Sequence, residues 1–261
     1  DGPVIGVTLD GTGSGADGHL WGGEGLFGDY RGYRRLAHLE YLPLPGGDAA
    51  TRQPWRIAAG YLLALRGEAP GWLVPAGAPP EALAVLERQV ARGVNVPLTS
   101  SMGRLFDAVA ALLDVRRAIT YEGQAAIELE MLAGSGAGAT DAQDAYSYGL
   151  DRADGASLVR VAPLFDGLLD DLVRGEPSVR IARRFHATVI DMVVAVSRAI
   201  AKETGVWTAA LSGGCFQNRL LLEGAVQALR AVGFRVLVHR QVPANDGGIS
   251  LGQAAVAALA E

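Results

Sequence analysis

The chain has 261 residues, of which 49% are hydrophobic and 20% are charged, and its formal net charge is −5. This length and composition predict a globular protein of one large or two small domains with a sizeable core. The negative charge gives no reason to expect nucleic acid or an anionic membrane surface as a partner. Because the chain has one cysteine, Cys215, and no apolar run approaches the roughly 18 residues of a membrane span, we expect a cytoplasmic protein without internal disulfides or membrane segments.

The N-terminal part of the chain predicts three antiparallel strands followed by helices. The strands are predicted over residues 4–9, 18–27 and 33–44, and the first of them ends in the motif Asp10-Gly11-Thr12-Gly13. The motif Pro45-Gly46-Gly47-Asp48 is typical of a turn. From residue 53 onward the apolar residues recur with helical spacing, which predicts helices over residues 55–65, 81–91, 104–113 and 122–132.

The C-terminal part alternates strands and helices after a Gly/Ala-rich segment, residues 134–140, which is predicted to be a flexible loop. A long helix is predicted from Pro177 to about residue 204, because proline is tolerated in the first turn of a helix. The other predicted elements are a short strand at 157–161, a helix at 164–174, and two strand–helix pairs at 206–211 with 219–231 and at 234–238 with 249–260.

Two glycine pairs, Gly213-Gly214 and Gly247-Gly248, lie between an apolar strand and a helix. Glycines at such a junction let backbone N–H groups approach an anion closely, and the helix N-terminus adds a favourable dipole. A single glycine pair is equally well explained as a tight turn. Two such turns, with Asn218 and Asp246 beside them, predict a nucleotide-binding cleft.

The order of the elements resembles one lobe of an actin-like ATPase, a class in which ATP binds between two lobes. This resemblance implies an α/β fold of the ASKHA class, with a βββαβαβα core and a large helical insertion at about residues 53–205. Sugar kinases, Hsp70 and actin share this plan. Element order alone does not fix a function, so the motifs carry the functional argument.

Six motifs, in the same order along the chain, resemble the C-terminal Kae-type domain of the HypF family, the carbamoyltransferases of nickel–iron hydrogenase maturation. The chain is also similar to threonylcarbamoyl transferases of tRNA modification and to antibiotic O-carbamoyltransferases. The motif Tyr121-Glu122-Gly123-Gln124 and the Pro-Gly-Gly-Asp turn favour HypF over both. The six motifs are residues 10–13 with 20–24, residues 42–48 with 53–56, residues 100–110, residues 120–126, and the two glycine-pair turns.

The resemblance implies a nucleotide- and metal-dependent transfer of a carbamoyl group. The donor is carbamoyl adenylate, and the acceptor is the C-terminal cysteine of HypE, where dehydration leads to the cyanide of the hydrogenase iron. The implied cofactors are ATP or carbamoyl adenylate and a divalent metal, Zn, Fe or Mg. The implied partners are the HypE C-terminal tail and an adenylating domain upstream in the same full-length polypeptide. Residues 1–261 then form the second lobe of the Kae-type domain.

Two aspartates, Asp10 and Asp246, match the family's metal-ligating aspartates. A pair of carboxylates from separate turns suits a hard divalent ion or iron, and such an ion can neutralise the phosphate of an acyl adenylate. Each residue also has a simpler interpretation. Asp10 is in a position typical of an Asx-turn at a strand end, and Asp246 is in a position typical of a helix N-cap.

Several further residues match the family's nucleotide contacts. Asp107 and Glu122 match positions that face the ribose hydroxyls, which carboxylates hold through charge-assisted hydrogen bonds. Asp107 is otherwise a solvated helix residue, and Glu122 is otherwise a first-turn residue that complements the helix dipole. The remaining matches are the phosphate-facing Gly11, Thr12, Gly13, Ser212, Gly213 and Gly214, the close-approach glycines Gly103 and Gly123, and Asn218.

The chain departs from the family in its histidines. The family supplies two more metal ligands from a His-x-x-x-His helix shortly before the Asp-Gly-Thr-Gly strand, and this chain has no histidine pair with that spacing. We expect His19, His38, His186 and His239 to be structural or solvated. The chain is therefore expected to start after the histidine helix, to hold half of the metal site and one wall of the cleft, to bind metal weakly or not at all, and to be inactive alone.

The residue that acts as catalyst is not assigned by the sequence. Cys215 is expected to be a small buried residue rather than a nucleophile, because no basic neighbour in sequence lowers its pKa. Arg52, Arg56 and Arg104 are candidates to face carbamoyl oxygens or phosphate, for which a planar guanidinium is well suited, or else lie on the surface. Two other functional classes stay open: a small-molecule kinase of the same superfamily, which transfers a γ-phosphate, and a non-catalytic module that docks a partner.

Overall fold

A central sheet organises the chain in the computed structural model, which describes residues 2–134 and 144–259. The described strands form one sheet, in which β6, β7, β3, β2, β1, β8 and β9 lie side by side in that order and the short β5 pairs with β2 and β4. The strands are β1 (Val4–Ser14), β2 (Leu20–Asp29), β3 (Gly32–Leu39), β4 (Leu42–Pro43), β5 (Leu98–Thr99), β6 (Gly149–Ala153), β7 (Ala156–Arg160), β8 (Thr208–Ser212) and β9 (Arg235–Val238).

Strand direction divides the sheet at β1. β2 and β3 follow β1 as an antiparallel meander, as the alternation of the sequence predicts. β8 and β9, in contrast, both run parallel to β1. The carboxyl ends of three neighbouring parallel strands therefore lie at one edge of the sheet, which is where open α/β sheets bind ligands.

Nine described helices surround the sheet. They are α1 (Asp48–Arg52), α2 (Pro54–Arg66), α3 (Ala82–Arg92), α4 (Met102–Leu112), α5 (Gln124–Gly134), α6 (Ala162–Val173), α7 (Ser178–Thr204), α8 (Arg219–Ala231) and α9 (Ile249–Leu259). Short 3-10 turns occupy Gly71–Leu73, Gly214–Gln217 and Asp246–Gly248. None of the helices in the described ranges is long and apolar enough to cross a membrane.

The core lies between the sheet and two groups of helices. The long α7 packs on β1, β2, β3 and β7, and α8 packs on α7 and β9. Every residue of α4 is buried, because α4 packs against β1 and β2 on one side and against α2 and α5 on the others. In contrast, α9 buries none of its residues and contacts mainly the preceding 3-10 turn.

The structure differs from the sequence prediction in three places. β1 extends through the Asp10–Gly13 motif, which the sequence places after the strand end. Within the segment 53–205, the predicted short strand at 157–161 is confirmed as β7, whereas β5 and β6, which the sequence did not predict, also add to the sheet. Pro177 is the N-cap of α7 rather than part of its first turn. The predicted loop at 134–140 lies, after Gly134, outside the described residues.

Candidate functional site

A β-bulge in β1 presents Asp10 at the carboxyl edge of the sheet. The β1–β2 register pairs Leu9 with Gly23 and next pairs Gly13 with Trp21. Three residues of β1, 10–12, therefore lie opposite a single residue of β2. A bulge of this kind bends the strand and redirects side chains, and it is common beside functional sites. The Asp10 carboxylate accepts a hydrogen bond from the N–H of Gly11 at 2.8 Å through Oδ1.

The first glycine pair is seated directly on this strand. Gly213 has φ 103° and ψ 154°, a region of backbone conformation that is essentially restricted to glycine. A Cβ at this position would lie 2.1 Å from the carbonyl oxygen of Leu9. The N–H of Gly213 donates to the carbonyl of Ala244 at 2.8 Å. The turn after β8 is thereby fixed both to β1 and to the segment that precedes Asp246.

The Asp10 carboxylate and the second glycine turn meet at Gly214. An ideal Cβ on Gly214 would be 3.0 Å from Asp10 Oδ1 and 3.9 Å from Asn245 Cβ. Asn245, not Asp246, caps the following 3-10 turn, because its Oδ1 accepts from the N–H of Gly247 at 3.1 Å. The capping interpretation of Asp246 is therefore wrong. The contacts of Gly214 show that Asp10 and the turn that starts at Asn245 lie side by side. Asp246 is exposed directly after Asn245, and its role as a metal ligand stays a prediction.

The N-terminus of α4 packs against the same bulge. The Ser101 hydroxyl lies 2.7 Å from the carbonyl oxygens of both Asp10 and Gly11 and also caps α4 by accepting from the N–H of Arg104. A Cβ on Gly103 would lie 2.7 Å from Gly11 Cα. The close approach that Gly103 permits in the structure is between α4 and β1, and its predicted contact with a nucleotide stays a prediction.

Asp107 lies in the interior rather than on a nucleotide-facing surface. Its exposed fraction is 1%, and its Oδ2 lies 2.9 Å from Arg104 Nη2. Burial raises the pKa of Asp107 to about 6, although the neighbouring Arg104 lowers it. The predicted ribose contact is therefore not supported by its position, because the carboxylate would have to leave both the core and its partner. Arg104 is 8% exposed, so it is not a surface arginine, and its guanidinium packs beside Gly11.

Asn218 is also used differently from the expectation. Its Oδ1 caps α8 by accepting from the N–H of Leu221 at 2.9 Å. Its Nδ2 lies 2.9 Å from Nε2 of His186, whose Nδ1 lies 2.7 Å from the carbonyl of Ala182. His186 is fully buried, and burial lowers its pKa to about 4. The neutral imidazole thus donates to Ala182 and accepts from Asn218, which holds the Asn218 amide toward the core.

Of the remaining predicted nucleotide residues, Thr12 and Gly13 lie in β1, and Glu122 and Gly123 lie in the turn before α5. Thr12 is exposed, and its hydroxyl donates to the carbonyl of Gly11 at 2.7 Å. Gly13 packs on the Trp21 backbone. Glu122 is exposed and precedes α5, so it is not a first-turn residue. Gly123 has φ 75°, a conformation that favours glycine and that starts α5.

Ser212 ends β8 and contacts a histidine that follows β9. Its Oγ lies 3.0 Å from His239 Nε2. His239 lines a cavity of about 230 Å³ beside the glycine turn. The other lining residues are mainly apolar, and they are Leu211, Phe216, Gln217, Leu222, Val238, Val242, Pro243 and Ala244.

Among the described residues, the structure gives no catalytic contact to Arg52, Arg56 or Cys215. Arg56 donates to the carbonyl of Pro45 at 3.0 Å and to Gln89 at 2.8 Å, so it fastens the Pro-Gly-Gly-Asp turn to α3. Arg52 is exposed at the end of α1. Burial, and to a lesser degree the charge of Asp10, raises the pKa of the Cys215 thiol. This agrees with the expectation that Cys215 is not a nucleophile.

The described residues offer two carboxylates, rather than a full ligand set, for a metal ion. Within residues 2–134 and 144–259 there is no group of three or more His, Cys, Asp or Glu side chains that could hold one. Asp10 Oδ1 is engaged by the N–H of Gly11, while Asp246 forms no ion pair in these ranges. A pair of carboxylates suits a hard cation such as Mg²⁺, because this ion binds one or two carboxylates and keeps several water ligands.

The sequence analysis did not predict a group of buried and partly buried polar residues beside the site, which consists of Glu24, Arg35 and Ser100. Glu24 is 3% exposed and forms an ion pair with Arg35, with Glu24 Oε1 and Arg35 Nη2 2.9 Å apart. Ser100 donates to the same oxygen at 2.5 Å. The signal for this group was a charged residue directly after Gly22-Gly23 in an otherwise apolar strand, because a charge that is buried in a sheet needs partners.

Comparisons with known proteins show the family to which the chain belongs. The family profile described as carbamoyltransferase, Kae1-like domain, second subdomain matches residues 6–253. Carbamoyltransferase HypF2 of Cupriavidus necator is 43% identical over 98% of this chain and 34% of its own length. Carbamoyltransferase HypF of Rhodobacter capsulatus is 42% identical over 98% of this chain and 32% of its own length. The chain thus spans about a third of the length of these relatives.

Solved structures show the same similarity. A crystal structure of full-length HypF in the phosphate- and nucleotide-bound form superposes with a TM-score of 0.89 at 38% identity, over 98% of this chain and 39% of that one. HypF of T. kodakarensis superposes with a TM-score of 0.80 at 31% identity, over 97% of this chain and 33% of that one.

Proposed function

Because the chain belongs to the carbamoyltransferase family as the second subdomain of its Kae1-like domain, we propose that it supplies one wall of a carbamoyl-transfer site that uses a nucleotide and a metal ion. The observation that carries this proposal is the meeting of the Asp10 bulge and the two glycine turns at the carboxyl ends of β1, β8 and β9. Backbone N–H groups at such an edge favour phosphate. On this proposal the chain forms one lobe of an ASKHA-class fold.

The proposed reaction is transfer from carbamoyl adenylate to the C-terminal cysteine of HypE. The cysteine thiolate attacks the carbamoyl carbon, a C–S bond forms, the bond from carbon to the phosphate oxygen breaks, and AMP leaves. The turn at Ser212–Gly214 and the bulge at Gly11–Gly13 hold the phosphate of the donor, so that the leaving group is oriented and its charge is stabilised. Glu122, exposed at the start of α5, remains the candidate ribose contact.

Asp10 and Asp246 would hold the metal ion. A bound divalent ion would neutralise phosphate charge as a Lewis acid. Zn and Fe prefer imidazole or thiolate ligands in addition, so on this proposal tight binding of either metal needs histidines from elsewhere in the assembled protein. The chain spans about a third of the length of its relatives. We propose that the complete reaction also needs the adenylating domain and the HypE tail, and that this chain alone is inactive.

A chimeric enzyme tests the proposal. We would replace the matching third of Cupriavidus necator HypF2, 43% identical, with this chain and supply ATP, carbamoyl phosphate and HypE. Mass spectrometry of the HypE C-terminal peptide should show one added carbamoyl group. Asp10→Ala and Asp246→Ala should abolish the addition without unfolding the protein, whereas Asp166→Ala, an exposed control in α6, should not.

The alternatives give different results in the same assay. A kinase of the superfamily would form ADP and place a phosphate on its acceptor, with no AMP released. A docking module would bind the HypE peptide while the chimera transfers nothing. Full carbamoyl transfer by the Asp10→Ala chimera would contradict the proposed role of this edge of the sheet.

A further inference from the structure

Glu24 satisfies hydrogen-bond donors from three segments, of which β2 and the N-terminus of α4 pack at the Asp10 bulge and β3 lies on the far side of β2. Its Oε2 accepts from the N–H groups of Gly22 and Gly23, both at 2.7 Å. Its Oε1 accepts from Ser100 Oγ at 2.5 Å and from Arg35 Nη2 at 2.9 Å. An ionised carboxylate is an acceptor with about four lone-pair sites, and here all four partners are donors.

The bulge explains why the β2 backbone needs this acceptor. Residues 10–12 lie opposite Gly22 alone, so the regular ladder of hydrogen bonds is interrupted there. Buried backbone N–H groups must find partners elsewhere. The Glu24 carboxylate satisfies two such N–H groups, which lets the β1 backbone leave the ladder and turn Asp10 toward the glycine turns.

The same carboxylate sets the position of the α4 N-terminus. Ser100, which it binds, precedes Ser101, whose hydroxyl lies 2.7 Å from the carbonyls of Asp10 and Gly11. The packing leaves no spare room: a Cβ on Gly22 would lie 2.5 Å from the Asp10 carbonyl oxygen, and one on Gly23 would lie 2.4 Å from the Ser100 carbonyl oxygen. We therefore expect a displacement of Gly22 or Ser100 at Glu24 to displace the Asp10 backbone as well.

Arg35 keeps the carboxylate paired and orders the network toward the surface. Its guanidinium lies 3.9 Å from the centre of the Trp21 ring, and its Nη1 donates to the Tyr41 hydroxyl at 2.7 Å. Asp17 accepts from Trp21, Tyr41 and Arg35. The buried ion pair is thus hydrogen-bonded on both sides, which is the condition under which such a pair is tolerated in a core.

We propose that Glu24 is a positioning residue, which holds the bulge at Asp10–Gly13 and the α4 N-terminus in the arrangement that receives the nucleotide phosphate. The identity of that ligand rests on the proposed function, whereas the effect on the bulge does not. Asp171 offers a matched control: it is also a buried carboxylate, 2% exposed, with Tyr146, Arg174 and Arg184 as donors. It belongs to α6 and makes no contact with the bulge.

Amide hydrogen exchange and ATP titration of this chain test the proposal together. A glutamine at position 24 presents an amide NH₂ to donors that need an acceptor. Glu24→Gln should therefore speed exchange of the amides at residues 11–13 and 22–23 by roughly 10- to 100-fold, the factor for losing one hydrogen bond to a charged group. The ATP Kd should rise by about tenfold or more, because misplaced groups bind poorly. Asp171→Asn should change neither, even if it lowers stability as much.

Each outcome has a defined meaning. If Glu24→Gln does not fold, Ser100→Ala removes a single donor and should show the same local pattern with a smaller factor. Unchanged exchange at residues 11–13 in the folded variant overturns the positioning role, whatever happens to ATP. An equal increase in Asp171→Asn also overturns it, since the effect is then general. Absence of ATP binding to the wild-type chain refutes the nucleotide part of the proposed function, and the exchange result still decides the role of Glu24.

Discussion

Replacing Gly213 by alanine should remove much of the free energy of unfolding of this chain. Two destabilising effects act at this position, backbone strain and a steric clash. The backbone at φ 103° and ψ 154° is restricted to glycine, and holding another residue there costs about 1–3 kcal/mol. The new Cβ would lie 2.1 Å from the Leu9 carbonyl oxygen and 2.6 Å from its carbon. These atoms belong to the central strand, so they cannot move aside, and overpacking of this kind adds about 1–3 kcal/mol.

The total, about 2–6 kcal/mol, is a large share of the roughly 5–15 kcal/mol that stabilises a typical domain. Gly205→Ala is the matched control, because Gly205 has φ 74° at the end of α7 and nothing within 4 Å of an added Cβ. It should cost only about 1–2 kcal/mol. Urea unfolding of both variants, with the slope m checked for each, measures the difference. If Gly213→Ala and Gly205→Ala lose the same free energy of unfolding, the predicted clash between residue 213 and Leu9 is refuted.

Three further predictions follow from the described contacts. Burial raises the pKa of Asp107 from 3.8 to about 6, so between these pH values the folded chain keeps a proton that the unfolded chain loses. The free energy of unfolding should therefore fall as pH rises from about 4 to 6, by on the order of 3 kcal/mol at most. Urea unfolding of Asp107→Asn at several pH values should lack this decrease. Asn218→Ala should lower the free energy of unfolding by about 1–2 kcal/mol, because the N-cap of α8 is lost. Asn218→Asp keeps the capping oxygen and places a negative charge beside His186, so the pKa of His186, measured by NMR titration, should rise. Elemental analysis should find no stoichiometric Zn or Fe in the purified chain, since Asp10 and Asp246 are too few ligands for either; one tightly bound Zn or Fe per chain would contradict this.

Local sequence signals predicted the elements that build the edge of the sheet. The apolar runs before each glycine pair correctly indicated β8 and β9, and the helix at 219–231 agrees with α8 (Arg219–Ala231). These elements have clear periodicity and clear breakers, which are the features that single-sequence patterns report best. The grouping of Asp10 with Gly214 rested on the resemblance to the family, and the parallel pairing of β1 with β8 is what brings them together in the structure.

Features that depend on a distant partner were missed or misjudged. The bulge in β1 exists only relative to β2, and the two-residue β5 has no pattern of its own. Asp107 was matched to a ribose contact, with a solvated helix residue as the simpler interpretation, and neither interpretation indicates the buried position that the structure gives it. Its spacing from Arg104, three residues along a helix, is the signal that could have indicated an ion pair.

The parallel pairing of β1 with β8 also constrains when the site can form. Ile5 pairs with Ala209, so the strand that carries Asp10 meets the strand before Gly213 only after the intervening chain has been synthesised. Long-range parallel pairing of this kind is slow, since the entropy of closing the loop is lost before the contacts form. Until β8 arrives, β1 has a free edge that can pair with other chains. Synthesis that stops short of residue 208 would therefore yield a folding intermediate with an open, aggregation-prone sheet.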